Sequence, residues 1–146
     1  MDKEKSIEAI VNARVAHENQ MKKIVALLNG KEVENPTAVS QTECEFGKWF
    51  YSDDRLKMII GTLFYSKIET LHARWHMEYK RLFDLFFNSK KRGFFSKAFS
   101  SSKPQGMELD KAKVYYSELK ATTEELLKVM SSSQRRIEAL SEKKFL

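Results

Sequence analysis

The imidazole and thiol side chains of this 146-residue chain are few, and their types suit a single metal ion. The three histidines are His17, His72 and His76, and the one cysteine is Cys44. His72 and His76 stand four residues apart, which places both rings on one helix face, one turn apart. Three imidazoles and one thiolate make a closed tetrahedral donor set for Zn²⁺. The sequence therefore predicts a zinc site, provided that the elements carrying these side chains pack together.

Each of the four residues also has a purely structural interpretation. A histidine on an apolar helix face, such as His17, can be a core residue with a buried hydrogen-bond partner. A lone cytosolic cysteine often only fills the core. The joint interpretation is favoured because no histidine or cysteine lies outside the set.

Other metal and catalytic chemistry lacks the residues that it needs. In the segment HARWH (72–76), Ala73 stands where a zinc protease requires its glutamate general base. Glu69 and His72 form one E-x-x-H motif, whereas a di-iron bundle needs two. The chain has no glycine-rich phosphate loop, and no hydroxyl nucleophile has a histidine at a recognisable spacing. We therefore expect that the protein is not an enzyme.

Helices must position these side chains, and the hydrophobic periodicity predicts where they run. Apolar residues at steps of three and four predict helices over about Lys3–Asn29, from Asp53 or Asp54 to about Asn88, and over about Met107–Glu142. Gly61 is expected to bend or divide the second of these. One or two helical turns are expected within Gln41–Tyr51. The fold class is thus all-α: an antiparallel four-helix bundle with a short extra helical segment that carries the cysteine ligand.

The last predicted helix has the most regular apolar seam, with strict three- and four-residue steps over more than four heptads. Thr123 and Ser133 interrupt this seam. The interruptions favour packing against other helices of the bundle over a free dimeric coiled coil.

Length and composition predict one globular domain over residues 1–146. The chain is 42% hydrophobic and 32% charged, and it has no apolar run long enough to span a bilayer and no apolar segment typical of a signal peptide. We therefore expect a cytoplasmic protein.

The net charge of +6 is concentrated in one segment. Residues 80–103 hold one acid, Asp84, and seven bases: Lys80, Arg81, Lys90, Lys91, Arg92, Lys97 and Lys103. This segment includes a basic loop insertion at 89–106, where three phenylalanines stand among lysines. A hinge whose phenylalanines cover the bundle end is favoured over membrane or acidic-partner contact through 90–99. Nucleic acid is not an expected partner, because one short patch is a weak footprint.

The residues around the cysteine resemble a known family signature. A histidine in the first helix, a C-x-F-G-K-W-F segment at 44–50 and an H-x-x-x-H motif at 72–76 occur in that order. This pattern is similar to the CZB family, the chemoreceptor zinc-binding domains of bacteria, over about residues 10–85. The resemblance implies a bundle of about four helices that binds zinc through His17, Cys44, His72 and His76, often as a homodimer. Family members act in the cytosol, alone or attached to chemoreceptors or diguanylate cyclases, and report zinc or oxidants such as hypochlorous acid through the cysteine.

Neighbours of the four ligands have expected roles under this interpretation. Gly47 lets the backbone turn tightly after the cysteine, and Trp49 and Phe50 cover the site or simply anchor the segment on the core. Three carboxylates are candidates to accept a hydrogen bond from the second imidazole N–H of a ligand: Glu18, Glu43 and Glu69.

The functional prediction is a zinc-binding regulatory domain with a closed His₃Cys site, which responds to zinc availability or to oxidation of Cys44. Because 146 residues leave no room for a receptor signalling hairpin or a cyclase, we expect the signal to pass through a partner or a change in self-association. Two alternatives stay open: a zinc-stabilised structural adaptor, and a metal-free basic bundle that binds membranes or acidic partners.

Overall fold

The computed structural model describes residues 1–33, 39–87 and 106–146. All regular structure in these ranges is helical, which confirms the predicted all-α class for this part of the chain. The elements are α1 (Lys3–Leu28), α2 (Glu45–Phe50), α3 (Leu56–Ile60), α4 (Thr62–Phe87), α5 (Met107–Ala139) and a final 3₁₀ turn (Glu142–Phe145).

Local sequence features explain where the helices begin and end. The Asp2 carboxylate accepts a hydrogen bond from the Lys5 backbone N–H at 2.7 Å and caps the start of α1. Gly30, at φ +80°, follows the end of α1. Gly61 adopts φ +97°, a conformation that a side chain disfavours, and it separates α3 from α4. The second predicted helix is therefore divided at Gly61, which was one of the two expected outcomes.

Three long helices build the core of the described residues. α5 packs against both α1 and α4, while α2 packs on α1, and α3 packs on α4 and α5. The side chains that fill this interface are fully buried; the largest include Trp75, Phe50, Phe86, Ile10, Ile24, Leu82, Leu119 and Met130.

Side-chain contacts set the directions of the long helices. Trp75 and Glu78 of α4 contact Thr123 and Thr122 of α5 in descending order, so these two helices are antiparallel. α1 and α4 run in the same direction, because residues further along α1 contact residues further along α4. His17 contacts Trp75, and Gln20 accepts a hydrogen bond from Tyr79. Between them, the chain returns through the segment that holds α2 and α3 rather than through a long helix. A four-helix arrangement is thus not confirmed by the described residues, which contain three long helices.

Two expectations fall wholly or partly on residues that lie outside the described ranges. The basic insertion at 89–106 is described only at Gly106, and the predicted loop at 31–40 only in part. Among the helices that are described, none combines the length and the apolar character needed to cross a bilayer.

Candidate metal centre

The four predicted ligands meet where α1, α2 and α4 come together. His17 lies in α1, Cys44 immediately precedes α2, and His72 and His76 lie in α4. One ligand atom from each residue lies within 4.8 Å of the ligand atoms of the other three. The spacing and the donor types thus bring together the complete set that the sequence predicted.

The interatomic distances fit one tetrahedral ion. Zinc bond lengths to nitrogen and sulfur place neighbouring ligand atoms about 3.3–3.6 Å apart in a tetrahedron. The Cys44 Sγ atom lies 3.3 Å from His72 Nε2, and His72 Nε2 lies 3.0 Å from His76 Nε2. Small side-chain rotations therefore suffice to convert this cluster into a zinc-binding geometry.

Backbone carbonyl groups orient two of the imidazoles. His17 Nδ1 lies 2.6 Å from the Ala13 carbonyl oxygen, and His76 Nδ1 lies 2.9 Å from the Val39 carbonyl oxygen. A carbonyl can only accept, so each Nδ1 carries the proton and donates it. The lone pair of each neutral ring is then on Nε2, which is the atom that His76 directs at the other ligands.

His72 is the most deeply buried ligand, with none of its surface exposed. Burial, together with the charges of His76 and His17, lowers the pKa of His72 to about 2. Its Nδ1 is buried and has no hydrogen-bond partner among the residues that the structure describes. The ring is therefore a neutral imidazole whose Nε2 faces two further donors, which is the form that binds a metal ion.

Cys44 caps the short helix that follows it. Its Sγ accepts a hydrogen bond from the Gly47 backbone N–H at 3.2 Å. Burial raises the pKa of the Cys44 thiol, and the N–H groups of Gly47 and Phe46 oppose that shift. Cys44 is also the least buried of the four residues. It is thus the ligand closest to solvent and the one with a local donor for its sulfur.

Gly47 is required by a close backbone approach. A Cβ atom at this position would lie 1.7 Å from the carbonyl oxygen of Gln41. Backbone atoms on both sides cannot rotate away, so any larger residue would separate α2 from the turn that leads into Cys44. The tight turn predicted at Gly47 therefore has a steric cause.

Aromatic rings cover the site in two layers. Phe46, which the sequence analysis did not single out, contacts the His72 ring at a centroid distance of 5.0 Å and the His17 ring at 6.5 Å. Trp49 and Phe50 contact Phe46 at 5.7 and 5.3 Å. The two residues predicted as site cover thus support Phe46. Trp49 and Phe50 follow Phe46 by three and four residues, and this helical spacing was a signal that could have identified Phe46.

The three candidate carboxylates are not the hydrogen-bond partners that the structure shows for the imidazoles. Glu18 and Glu43 are exposed. Glu69 lies beside the hydroxyl of Tyr51, whose pKa is raised by burial and by this carboxylate. Carbonyl oxygens make the two bonds described above, so an acceptor role for these carboxylates stays a prediction.

Trp75 is a second residue that the sequence analysis missed. It is 2% exposed, and its indole meets the His17 ring edge-on at 4.5 Å and the His76 ring at 4.9 Å. Its position directly before His76, in the middle of a predicted core helix, was the available signal.

A cavity of about 200 Å³ lies beside the cluster, and His17, Cys44 and His76 form part of its wall. Its other lining residues are Ala16, Gln20, Val39, Glu45, Phe46, Trp75 and Tyr79. Ala16, Val39 and Glu45 are exposed and form the rim. None of the described residues that line the cavity is a lysine or an arginine. A larger groove of about 580 Å³ between α4 and α5 contains none of the four ligands. A third cavity, of about 350 Å³, reaches His76 but none of the other three ligands. The cavity of about 200 Å³, with three ligands on its wall, therefore borders the site most closely.

Comparison with known proteins agrees with this geometry. No curated protein and no solved structure matches the chain. The family model described as the Chemoreceptor zinc-binding domain matches residues 17–83, a span that includes all four clustered side chains. Residues 17–83 therefore match the chemoreceptor zinc-binding domain, and this match supports membership of that family.

Proposed function

We propose that this chain is a zinc-binding regulatory domain in which His17, Cys44, His72 and His76 hold one Zn²⁺ ion. The observation that carries the proposal is the convergence of four donor atoms, from three separate elements, to within 4.8 Å of one another. When bound, the ion supplies a positive centre that keeps the Cys44 sulfur in its thiolate form. Four protein ligands leave no position for a reactive water, which supports a role without catalysis.

The four ligands are held with unequal rigidity. His17 lies within a 26-residue helix, and His72 and His76 lie within another helix of the same length. Cys44 instead precedes a helix of six residues. Displacing Cys44 disturbs little besides α2 and its cap, whereas displacing a histidine disturbs a long packed helix. Cys44 is therefore the ligand that leaves most easily.

Oxidation is one trigger that this geometry supports. None of the described residues on the cavity wall is a lysine or an arginine, so the cavity suits small neutral oxidants. In reaction with hypochlorous acid, the Cys44 thiolate gives up two electrons to chlorine; the products are a sulfenic acid, which keeps the oxygen and the proton, and a chloride ion. A sulfenic sulfur is a poorer ligand, so α2 is released. Since the chain has no second cysteine, no internal disulfide can form.

A fall in zinc availability is the other trigger, and it acts through the same residue. Cys44 dissociates first as zinc becomes scarce, and α2 loosens in the same way. We place this response in bacterial cytoplasmic signalling, including chemotaxis, with the chain as a homodimer and a chemoreceptor or a cyclase as its partner. The match of residues 17–83 to the chemoreceptor zinc-binding domain supports that placement. A four-helix bundle is our expectation for the complete domain.

Elemental analysis tests the metal proposal. Protein purified without a metal-binding tag should contain one zinc per chain. His72→Ala and His76→Ala should each lose most of the bound zinc, because each removes half of the two-imidazole chelate on α4. Arg74→Ala is the matched control, since Arg74 is exposed on the same helix and should leave the zinc content unchanged. Absence of zinc from the native protein would show that the proposal is wrong.

Treatment with hypochlorous acid separates oxidant sensing from the other roles. Zinc-loaded protein receives one equivalent of oxidant, and zinc release is measured together with hydrogen exchange over residues 40–55. Wild type should release zinc and lose protection there, while the Cys44→Ser variant should show no oxidant-dependent change. If wild type keeps its zinc while added free thiols are consumed, the domain is a direct zinc sensor or a structural adaptor.

A further inference from the structure

Thr123 interrupts the apolar seam of α5, and the structure shows what it contacts. The residue is 5% exposed. Its hydroxyl accepts a hydrogen bond from the Trp75 indole N–H at 2.9 Å and donates one to the Leu119 carbonyl oxygen at 2.6 Å. A buried hydroxyl in an apolar interface is unfavourable unless it is hydrogen-bonded. Thr123 is therefore paired with the one indole that touches the metal centre.

The Trp75 ring is held on three sides. Thr123 bonds its N–H, Tyr79 stacks against its face at 5.0 Å with an interplanar angle of 15°, and His17 meets it edge-on at 4.5 Å. His76 adds a third ring contact at 4.9 Å. An indole has only two side-chain torsions, so these contacts determine its plane. The same plane then limits where the rings of His17 and His76 can lie.

We propose that Trp75 is a positioning residue for the metal centre, and that its hydrogen bond to Thr123 couples the occupancy of the site to α5. This inference rests on the proposed zinc site. It extends that proposal, because α5 supplies none of the four ligands. When the rings of His17 and His76 close around one metal ion, the Trp75 indole must shift, because it contacts both rings and is hydrogen-bonded to α5. The N–H···O bond passes that adjustment to the turn from Leu119 to Thr123.

The neighbouring residue Thr122 provides an internal comparison. It has the same side chain, is also 5% exposed, and donates a hydrogen bond to Glu78 of α4 at 2.5 Å. Glu78 is not part of the cluster of four ligands, whereas Trp75 contacts the rings of His17 and His76. Two adjacent threonines thus join the same pair of helices, and only one of the two bonds leads to the metal centre.

Zinc affinity, measured by competition with a chelator, tests the positioning role. Thr123→Val keeps the shape of the side chain and removes the hydroxyl, and it should weaken zinc binding about 2- to 10-fold, the range expected for one neutral hydrogen bond. Thr123→Ser keeps the hydroxyl and should bind within about twofold of wild type. Trp75→Phe should weaken binding as well, and adding Thr123→Val to it should have little further effect, because both changes remove the same bond. Thr122→Val is the control and should leave zinc affinity unchanged.

Two further readouts distinguish coupling from simple destabilisation. In a Trp49→Phe background, Trp75 is the only fluorophore of its type, and its emission should change on zinc binding. Hydrogen exchange in α5 around Leu119–Thr123 should slow when zinc binds to wild type. In Thr123→Val at saturating zinc, that slowing should be lost, and Thr123→Ser should restore it.

The outcomes separate this inference from the proposed function. If wild type binds no zinc, the metal proposal fails and the coupling fails with it. If wild type binds zinc while α5 exchange does not respond, or Thr123→Val binds and responds as wild type does, the coupling alone is wrong. Equal losses of zinc affinity in Thr122→Val and Thr123→Val would also overturn it, because the effect would then reflect general helix packing.

Discussion

Removing zinc should loosen one short helix and leave the three-helix core folded. The core between α1, α4 and α5 has its own apolar contacts, including Ile10, Leu82 and Leu119, which are completely buried. Small zinc fingers behave differently, since metal binding supplies their folding free energy. Here the long helices bury these side chains against one another rather than against the metal centre, so we expect that the long helices do not depend on the ion.

The size of the expected change follows from helix lengths. The element most dependent on the site is α2, which has six residues, whereas α1, α4 and α5 have 26, 26 and 33. Complete loss of α2 would therefore remove less than about a tenth of the helical circular dichroism signal. Loss of the Cys44 cap and of the Phe46 contact with His72 is the local event that we expect.

The assay compares zinc-loaded and chelator-treated protein by far-ultraviolet circular dichroism and by hydrogen exchange. Exchange should increase over residues 40–55 and, to a smaller extent, around Leu119–Thr123, and it should stay slow in the rest of α1, α4 and α5. His72→Ala treated with the same chelator is the control, because it lacks a complete site and should not respond. Loss of most of the helical signal on chelation would show that the three-helix core does not stay folded without zinc, and that zinc is a structural requirement of the fold.

Three other predictions concern single side chains. Gly47→Ala should weaken zinc binding about tenfold or more, measured by chelator competition, with little change in the helical signal, because the added Cβ meets backbone 1.7 Å away; binding equal to wild type would contradict the steric argument. In the metal-free protein, the ratio of the Cys44 reaction rate with neutral iodoacetamide to that with anionic iodoacetate should exceed the ratio for a free thiol, because none of the described residues on the cavity wall is a lysine or an arginine. Glu45→Lys at the rim should lower this ratio. Glu18→Lys, away from the cavity, should leave the ratio unchanged. Burial raises the pKa of Tyr79 to about 12, above the ordinary value of about 10. The neutral phenol therefore stabilises the fold fully below about pH 10, and this stabilisation is lost as the pH rises through about 12. Denaturant melts at roughly pH 9 and pH 11 should show a smaller loss of stability at the higher pH in Tyr79→Phe than in wild type, and equal losses would contradict the assignment.

Residue types and their spacing were sufficient to predict the four donor residues and the positions of most of the helices. All histidines and the cysteine belong to one set, and the spacing of His72 and His76 places both rings on one face of any helix that forms there. Helix positions followed from the three- and four-residue apolar steps, which depend only on local geometry. Gly61 was identifiable as a break, because glycine tolerates the positive φ found there.

Tertiary packing is needed to know which helix faces contact one another and which backbone atoms orient the imidazole rings. Periodicity shows that a helix has an apolar face but not which neighbour covers it, so the parallel course of α1 and α4 was not predictable. Every residue has a backbone carbonyl group, so residue type could not identify Ala13 and Val39 as the hydrogen-bond partners of His17 and His76. Thr123 read as a defect in the α5 seam because its partner, Trp75, lies 48 positions away and meets it only when α4 and α5 pack antiparallel. A hydrogen bond between such distant residues is a property of the packed chain, since only packing sets the distance between them.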